Sequence, residues 1–445
     1  MMNTIQLQTK AWFGDETLRI SFPDSWQLVE AGPPEEQALT PHQMRESLAR
    51  PIGTPKLSEL AGTRTKAAIV IDDLTRPTPT ADLLPLLIEE LKGGGIDEQA
   101  VTIIVAGGTH PPASAEDSAK KIGPNVSPKV RVIAHDCYGE LTDLGISPAG
   151  LPLKVNRTLM GCDLKIGVGC IYPHPFAGYS GGAKIVLPAV CGADTTREMH
   201  DYLRGARTRG GSIHTEVRRD MIAVARKVGL DFIANVTLNC RREISGLFAG
   251  DVEQAHEAGV HAAQRTYAVT APSHADVVVA DMYPFDGSWQ FAQDRGMWPI
   301  QCAPRGATKV VIAACPQGLG THELYPVASP FWSRIARRLR HLSVDDLRRR
   351  AEKLRTILKL IRQKREPLLV LAPGLQPTEL KRVFPRATWF GEWSALLAAL
   401  QARHGNGAVT VAVYRCAPLL IPSGTEERQG SCAAVRHPSR PSAQA

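Results

Sequence analysis

The chain has 445 residues, of which 43% are hydrophobic and 22% are charged. This composition is typical of a soluble globular protein, and the length is sufficient for two domains. The sequence has no run of about 18 apolar residues, which excludes a transmembrane helix, and its N-terminus lacks the charged and apolar regions of a signal peptide. Nine cysteines without a CxxC pair argue against a disulfide framework, so we expect a reduced, cytosolic protein.

The net charge of +8 is concentrated in one basic segment, residues 334–365. Its pattern predicts two amphipathic helices, with Ser343 as the N-cap of the second. The simpler interpretation is a solvated basic face. The alternative is contact with nucleic acid or another anionic surface, which is disfavoured because no aromatic side chains interleave with the charges. We therefore expect neither a nucleic acid nor a membrane as a partner.

Apolar runs that end in polar residues recur along the chain. The first twenty residues alternate polar and apolar side chains, which predicts a strand and a hairpin. The runs that follow are "KAAIVIDDL", "AVTIIVAGGTH", "KVRVIAHD", "CDLKIGVGC", "ADVVVADMYP", "ATKVVIAACPQGLG", "EPLLVLAPGL" and "AVTVAVYRCAP". Helical patterns such as "TPTADLLPLLIEELKGGG" alternate with them, as in βαβ units. The sequence predicts an α/β protein with two Rossmann-like domains, parallel sheets and an active-site cleft between them.

A domain boundary is predicted near "TYAVTAPSHAD". Residues 1–270 are expected to form an N-terminal domain that binds a cofactor and carries the catalytic groups, and residues 275–425 a C-terminal domain that closes the cleft. Residues 429–445 are polar and unpatterned, so we expect a disordered tail. Ligands of parallel sheets bind beyond the carboxyl ends of the strands, so the segments that follow the strands hold the candidate site residues.

Two histidines and an arginine stand out among these segments. His110 ends a strand after two glycines, and His174 lies between two prolines, which stiffen the backbone. Stiffly held imidazoles suit general acid and base chemistry, although both histidines also fit ordinary turns. Arg76, in "DDLTRPTPT", is suited to bind a carboxylate or a phosphate with two parallel hydrogen bonds. The alternative is a capped loop whose acids only satisfy backbone N–H groups.

Lys184 ends a glycine-rich "SGGAK" stretch that is not a Walker A loop. Gly181 and Gly182 allow the backbone to approach a ligand and its N–H groups to face an anion. Lys184 itself lies just inside the predicted start of a helix, where anions are favoured. It is either a surface lysine or, functionally, a phosphate contact or a covalent tether to a cofactor.

His200 lies in the second turn of a predicted helix. Thr195 and Glu198 form a T-x-x-E capping box, so the helix is expected to begin there. Imidazole is a good ligand for nickel, copper, zinc and iron. A single helical histidine is nevertheless more often a surface or core residue than a ligand.

Taken together and in this order, "DDLTRPTP", "GGTHPP", "PHPFAGYSGGAKIVLP" and "TTREMH" resemble the lactate racemase family, the nickel-pincer-nucleotide-dependent racemases and epimerases of 2-hydroxy acids. The resemblance covers most of the chain and is strongest between Lys66 and His200. It implies a pyridinium mononucleotide cofactor with two sulfur arms that hold nickel. It also implies cofactor-building enzymes as partners.

The resemblance also implies roles for individual residues. His200 takes the place of the remaining nickel ligand, and Lys184 that of the lysine that holds the cofactor, covalently in some members. His110 and His174 match the acid and base groups on opposite faces of the substrate. The residues expected to contact the cofactor are Asp72, Thr75, Arg76, Ser180, Gly181, Gly182 and Lys184.

The implied reaction inverts the C2 carbon of a 2-hydroxy acid. The C2 hydrogen is very weakly acidic, so its transfer as hydride to the pyridinium ring avoids a carbanion. One histidine takes the hydroxyl proton as a transient 2-keto acid forms, and the hydride then returns to the other face. The cofactor carries the difficult step, while the protein positions and tunes it.

The sequence departs from the family pattern at several positions. Pro111 stands where the family commonly has arginine, and Ala189 where it commonly has glycine. In "YPFDGSWQFAQDRG", Arg295 is the nearest cation to the family's lysine and is predicted to be the catalytic-site cation. Trp289 and Phe291 suggest an apolar or bulkier site. We therefore expect an acid that is longer than, or different from, lactate.

Two other functions stay open at this point. A nucleotide-dependent dehydrogenase or hydrolase would use the "SGGAK" loop for phosphate, but GxGxxG after a strand is absent. A non-enzymatic anion or nucleic-acid binder would use residues 334–365 and would bind with steep salt dependence.

Overall fold

A computed structural model describes residues 2–35, 37–148, 150–202, 213–272, 274–321, 367–405 and 407–422. The basic segment 334–365 and the tail 429–445, for which helices and disorder were predicted, lie outside these ranges. Within them, two six-stranded sheets form the centre of the molecule. The predicted α/β class with parallel sheets is confirmed.

The strands are β1 Met2–Thr9, β2 Glu16–Pro23, β3 Trp26–Ala31, β4 Ala67–Asp72, β5 Val101–Ala106, β6 Arg131–Ala134, β7 Leu141–Ile146, β8 Pro152–Asn156, β9 Leu164–Cys170, β10 Pro173–His174, β11 Gly178–Tyr179, β12 Phe232–Leu238, β13 Ile244–Gly250, β14 Ala268–Val269, β15 Val277–Asp281, β16 Thr308–Ile312, β17 Leu368–Leu371, β18 Ala387–Phe390, β19 Val409–Tyr414 and β20 Ile421–Pro422.

The α-helices are α1 Pro41–Ala49, α2 Leu57–Ala61, α3 Thr80–Gly93, α4 Ala115–Ile122, α5 Arg157–Met160, α6 Ala193–Tyr202, α7 Glu216–Val228, α8 Gln254–Thr266, α9 Trp289–Gly296, α10 Trp298–Cys302, α11 Pro377–Val383 and α12 Trp393–His404. Short 3-10 turns cover Glu98–Ala100 and Gly182–Ile185. None of these described helices is long and apolar enough to cross a bilayer.

The first sheet has the order β13-β12-β9-β4-β5-β6, with parallel pairing except between β12 and β13. Its central strand β4 is buried along its whole length. Ile69 and Ile71 belong to the apolar cluster on one face, and Ala68 and Val70 to the cluster on the other. This alternation explains the continuous apolar run, because a strand covered on both faces has no polar side.

The second sheet has the order β18-β17-β16-β15-β19-β3, and all its strands are parallel. Its edge strand β3 comes from the N-terminus and pairs with β19. Ile5 of β1 and Phe22 of β2 pack in the same apolar cluster as Val279 of β15. Sequence reasoning assigned residues 1–31 to the first domain, and the strand pairing corrects that assignment. The predicted boundary near residue 270 is otherwise untested and stays a prediction.

The carboxyl ends of β9, β4 and β5 lie next to one another in the first sheet. The loops that follow these strands begin at Ile171, Asp73 and Gly107. Adjacent parallel strands place their following loops at one edge, so these three loops meet. In the second sheet, the loop after β15 leads into α9 and faces the first sheet, as the contacts described below show.

We predict that Trp26→Ala lowers the stability of the C-terminal sheet. Trp26 is 1% exposed and its ring lies 6.0 Å from that of Phe22. Removal of a buried tryptophan side chain costs about 3–5 kcal/mol, so the midpoint of urea unfolding is expected to fall clearly. Tyr138→Ala, at a side chain that is 62% exposed, is the control. Equal midpoints for both variants would contradict the inclusion of β3 in the folded sheet.

Candidate active site

His110 and Asp73 form a buried pair at the ends of the neighbouring strands β4 and β5. Asp73 Oδ2 lies 2.7 Å from His110 Nδ1, and both side chains are about one-tenth exposed or less. Thr75 donates its hydroxyl and its backbone N–H to Asp73 Oδ1. Burial opposes ionisation of Asp73, but His110 and Arg76 together hold its pKa below the usual range. The carboxylate therefore keeps the proton of His110 on Nδ1 and leaves Nε2 as an acceptor.

Asp72 has a different environment from its neighbour Asp73. Its carboxylate lies 2.7 Å from Lys121 Nζ and accepts the Thr78 hydroxyl. Burial raises the pKa of Asp72, although Lys121 opposes this effect. Asp72 was predicted to contact a cofactor, but the structure gives it a buried ion pair within the protein. The acid beside an acid/base candidate is Asp73.

Arg76 lies beside this pair and reaches toward the C-terminal half. Its Nη1 donates to Thr75 Oγ1 at 2.7 Å, and its guanidinium carbon lies 5.4 Å from the centre of the Phe291 ring. The Phe291 ring also packs edge-on against His110, at 5.1 Å between ring centres. Phe291 of α9 therefore covers both groups from the side of the second sheet.

His174, on the short strand β10, is buried and held by the backbone that follows it. Its Nδ1 accepts the N–H groups of Phe176 and Ala177, each at 3.2 Å. Burial, together with the positive charges of Arg295 and Lys184, lowers the pKa of His174 well below 6.5. His174 is therefore neutral at physiological pH, with its proton on Nε2.

The glycine-rich loop that leads to Lys184 packs tightly on the protein beneath it. Gly181 and Gly182 have φ angles of +75° and +58°. A Cβ atom would lie 2.9 Å from Asn235 Oδ1 at Gly181 and 2.7 Å from the His256 ring at Gly182. The Gly182 N–H already donates to Asn235 Oδ1 at 2.6 Å. The expected exposure of this N–H to an anion is therefore wrong, and the glycines are required by the packing of the loop.

Ser180 and Arg218 complete the support of this loop. The Ser180 hydroxyl donates to the Cys170 carbonyl and accepts the Tyr172 N–H, so its hydrogen bonds hold the loop on β9. Arg218 of α7 is 2% exposed and donates to the carbonyls of Ala177, Tyr179 and Gly181. The loop is thus fixed from below by protein contacts.

Lys184 is presented by this rigid loop. Burial, reinforced by the positive charges of Arg76, Arg295 and Arg218, lowers its pKa well below 10.5. The neutral amine is therefore far more accessible than in a surface lysine. A lysine with a lowered pKa is a nucleophile, which suits a covalent bond to a carbonyl or thiocarbonyl group.

Arg295 of α9 is the least satisfied of these cations. It is 7% exposed, and its Nε and Nη1 atoms have no hydrogen-bond partner among the described residues. Its guanidinium carbon lies 6.0 Å from the Tyr172 ring. In the described ranges neither Arg295, Arg76 nor Lys184 forms an ion pair with a carboxylate. Buried donors without a partner are costly, so an anionic ligand is expected to bind here.

His200 lies on α6, near His174. Its Nδ1 donates to the Thr196 carbonyl at 2.8 Å, so Nε2 is the unprotonated nitrogen of the neutral imidazole, the form that binds metals. The Phe176 ring lies 6.5 Å from that of His200 and 6.1 Å from that of His174, and therefore lies close to both.

The start of α6 differs from the prediction. The helix begins at Ala193, so Thr195 is inside it and the predicted capping box is wrong. The Thr195 hydroxyl instead donates to the Pro152 carbonyl at 2.6 Å and accepts the Lys154 N–H. Thr195 thereby ties α6 to β8.

Trp289 does not line the site as expected. Its side chain is fully buried and packs against Phe384 in the core of the second sheet, with 5.7 Å between ring centres. Helical spacing explains the difference, because Trp289 and Phe291 are separated by about 200° around α9. Of these two residues, Phe291 is therefore the one that faces the first sheet.

The described residues contain no group of three or more histidine, cysteine, aspartate or glutamate side chains that could hold a metal. A metal next to His200 would therefore need ligands that do not come from these residues. The donor set fits a cofactor that brings its own metal ligands and negative charge. Such a cofactor and its substrate require an imidazole as a metal ligand, an amine with a low pKa for attachment, and guanidinium donors for negative charge.

Comparison with known proteins gives a consistent result. The family model described as "Lactate racemase N-terminal domain" matches residues 13–210. The lactate racemase of Lactiplantibacillus plantarum is 31% identical over 310 residues, which cover 66% of this chain and 72% of the relative. That of Thermoanaerobacterium thermosaccharolyticum is 30% identical over 290 residues, or 63% and 67% of the two chains. The chain belongs to the lactate racemase family.

Solved structures agree with this assignment at the level of the fold. The lactate racemase apoprotein from Thermoanaerobacterium thermosaccharolyticum superposes with a TM-score of 0.72 at 24% identity, over 94% of this chain and 100% of that one. A protein from Thermotoga maritima gives a TM-score of 0.60 at 16% identity, over 87% and 99% of the two chains. Membership of the lactate racemase family makes the chain an enzyme of the isomerase class, a racemase.

Several residues of this candidate site are not indicated by the sequence. The stretch "DDLTRPTPT" contains both Asp72 and Asp73, and the sequence does not tell which of the two adjacent acids faces a histidine. Arg218, Asn235 and His256 lie on elements far along the chain and have no motif around them. Their roles depend on contacts with backbone carbonyls and N–H groups, which a sequence does not display.

We predict that Asp73→Asn lowers racemase turnover by about 10²–10⁴-fold, the range of a lost acid/base group. The amide has no charge to hold the proton of His110 on Nδ1, and its NH₂ group favours the wrong tautomer. Turnover of a single enantiomer by chiral chromatography is the measurement. Asp97→Asn, at an exposed position, is the control. Normal turnover of Asp73→Asn would show that the pair does not orient His110.

We also predict that three buried, neutral histidines, His135, His174 and His256, make stability fall as the pH decreases from 7 to 5, and that together they outweigh Asp281, whose pKa burial raises to about 8 and which acts in the opposite direction. Burial lowers the pKa of all three, that of His256 to about 3. Below about pH 6.5 the unfolded chain binds protons that the folded chain does not, so each histidine removes up to about 1.4 kcal/mol per pH unit.

The matched test of this pH dependence uses His256→Asn and, as the exposed control, His42→Asn. The free energy of unfolding is measured by urea titration at several pH values. Its slope against pH is expected to fall by about 1.4 kcal/mol per pH unit, the effect of one proton, in His256→Asn and to stay unchanged in His42→Asn. An unchanged slope in His256→Asn would contradict the buried neutral state.

Proposed function

We propose that this racemase inverts the C2 carbon of a 2-hydroxy acid by reversible hydride transfer, with a nickel-pincer pyridinium nucleotide as cofactor. The observation that carries the proposal is the placement of Arg76, Lys184 and Arg295 around His110 and His174 without an ion pair in the described ranges. Such a site favours a ligand with negative charge and a substrate with a carboxylate. Both curated relatives are lactate racemases, which supports the same reaction class.

Lys184 and His200 are the residues proposed to hold the cofactor. The low pKa of Lys184 suits attachment through its amine, and the lone pair on His200 Nε2 suits a metal ligand. When bound, the cofactor supplies the hydride acceptor. Arg76 and Arg218, which both lower the pKa of Lys184, add positive charge for the phosphate of a nucleotide.

The substrate carboxylate is proposed to bind Arg295, which lies 6.0 Å from the Tyr172 ring, with Arg76, whose charge also acts on Tyr172, as a second cation. A bidentate guanidinium–carboxylate contact fixes the orientation of a small acid. Phe291, which packs against His110 and Arg76, would give this side of the substrate site an apolar wall. Such a wall supports an acid with an apolar C2 substituent.

His110 and His174 divide the proton chemistry according to their contacts. His110 carries its proton on Nδ1 toward Asp73, so Nε2 accepts the substrate hydroxyl proton. His174 carries its proton on Nε2 because Nδ1 accepts two backbone N–H groups, so it donates a hydrogen bond to the substrate oxygen. Once protonated, His110 is stabilised by Asp73 and returns the proton to the product. The pair therefore serves a 2-keto acid intermediate whose carbonyl oxygen carries no negative charge, because His110 has taken the hydroxyl proton.

The test is production of the protein together with cofactor-building enzymes, followed by metal analysis, intact mass and a screen of chiral 2-hydroxy acids. Bound nickel, an added mass on Lys184 or an extractable nucleotide, and inversion of one acid are expected. Protein without nickel or inversion would overturn the proposal. Ordinary NAD with net oxidation of the acid would favour the dehydrogenase alternative.

Single histidine variants distinguish the proposed roles. His110→Ala and His174→Ala are expected to lower kcat by about 10²-fold or more while nickel stays bound. His200→Ala is expected to lose nickel. His42→Ala, whose side chain is 82% exposed, is the matched control and keeps both properties. Nickel retention by His200→Ala would contradict its assignment as a ligand.

Arg295→Gln tests the carboxylate contact. Loss of a charge-assisted hydrogen bond of about 1.5–3 kcal/mol raises KM by about 10–150-fold. Arg45→Gln, at an exposed arginine paired with Glu89, is the control. An unchanged KM would place the carboxylate elsewhere.

A further inference from the structure

The turn between β1 and β2, residues 10–15, has an unusual backbone. Lys10, Trp12 and Asp15 have φ angles of +59°, +70° and +44°. Left-handed φ angles are disfavoured for residues other than glycine, above all for a bulky side chain such as tryptophan. Such conformations persist only where surrounding contacts hold them, and they cluster at functional sites.

Asp286 of the C-terminal half holds this turn from one side. Its carboxylate accepts the Thr9 hydroxyl at 3.1 Å and the N–H groups of Lys10 and Ala11 at 2.7 and 3.1 Å. Asp286 lies three residues before α9, the helix that carries Phe291 and Arg295. The turn is therefore fixed to the same segment that positions these two side chains.

On its other side, the turn places Trp12 against two cations of the first half. The Trp12 ring centre lies 4.6 Å from Lys121 Nζ and 3.9 Å from the Arg242 guanidinium carbon. Arg242 is held in turn by Asp15 of the same turn, at 2.7 Å. Two cations packed over an indole ring help to fix its position, because the faces of the ring carry negative charge.

Trp12 and Lys121 meet at one atom of the active site. The Trp12 Nε1–H donates to the Arg76 carbonyl at 3.2 Å, and Lys121 Nζ donates to the same oxygen at 3.0 Å. Lys121 is fully buried and also pairs with Asp72. The main chain of Arg76 is thus held by a residue that comes from the N-terminal hairpin.

We propose that the β1–β2 turn is a positioning element of the active site, in which Trp12, held by its contacts with Lys121 and Arg242, fixes the main chain of Arg76 relative to the C-terminal sheet. Trp12 touches no reacting atom in this proposal and acts through Arg76. The functional part of the inference rests on the proposed role of Arg76 as an anion-binding residue, whereas the local positioning does not.

The test compares Trp12→Phe with Trp393→Phe. Both tryptophans are partly buried and donate from Nε1 to a backbone carbonyl, but Trp393 bonds to Ser21, away from the site. Phenylalanine keeps an aromatic ring for the cations and loses only the N–H donor. Hydrogen–deuterium exchange of residues 72–80, measured by mass spectrometry on the full chain, is the first readout, and KM and kcat of the holoenzyme are the second.

Trp12→Phe is expected to speed exchange in residues 72–80 and to raise KM by about fivefold to tenfold, the effect of one lost hydrogen bond, with a smaller change in kcat. Asp286→Asn, which weakens the anchor of the turn, is expected to give the same exchange signature. Trp393→Phe leaves residues 72–80 and KM unchanged.

Two results overturn the inference. The first is that Trp12→Phe and Trp393→Phe have the same KM and the same rate of hydrogen–deuterium exchange in residues 72–80. The other is faster exchange spread over both sheets, which indicates a role in general stability. If the wild-type enzyme shows no turnover, the proposed function fails, but the exchange comparison still decides whether Trp12 positions the Arg76 segment.

Discussion

The active site depends on one electrostatic constraint: Arg76, Lys184 and Arg295 are held close together without an ion pair in the described parts of the chain. Like charges repel strongly where water is excluded. Burial and the charges of Arg76 and Arg295 lower the pKa of Lys184, and burial and the charge of Arg76 lower that of Arg295. An anionic ligand is expected to relieve this repulsion, so these charges favour a cofactor and a substrate with negative charge.

The scaffold holds these three residues in place through ion pairs and hydrogen bonds that are formed within the protein. Asp72 pairs with Lys121 and Asp73 with His110, and in the described ranges neither carboxylate forms an ion pair with the three cations, although the charge of Arg76 acts on Asp73. Both Nη atoms of Arg218 donate to backbone carbonyls under the glycine-rich loop. The two sheets then meet where α9 places Phe291 over His110 and Arg76. Both halves are therefore needed to complete one site.

Much of this arrangement follows from local sequence patterns. Continuous apolar runs such as "KAAIVIDDL" predict buried parallel strands, and the residues after them are the ones that converge, since adjacent strands end at one edge. His110, His174 and Lys184 lie in such segments, whereas His200 lies on α6 and its role is implied only by the resemblance to the family. What could not be predicted depends on contacts between distant segments. The pairing of β3 with β19, the choice between Asp72 and Asp73, and the burial of Trp289 are decided by packing and strand order, which local periodicity does not contain.

The most direct test of the account is to follow one enantiomer of an accepted 2-hydroxy acid in D₂O with the holoenzyme, by chiral chromatography and proton NMR. Inversion through hydride transfer inside a closed cleft predicts the opposite enantiomer with the original hydrogen still at C2. Deuterium at C2 of the inverted product would show that the hydrogen leaves as a proton and exchanges with solvent, which would contradict the proposed reaction.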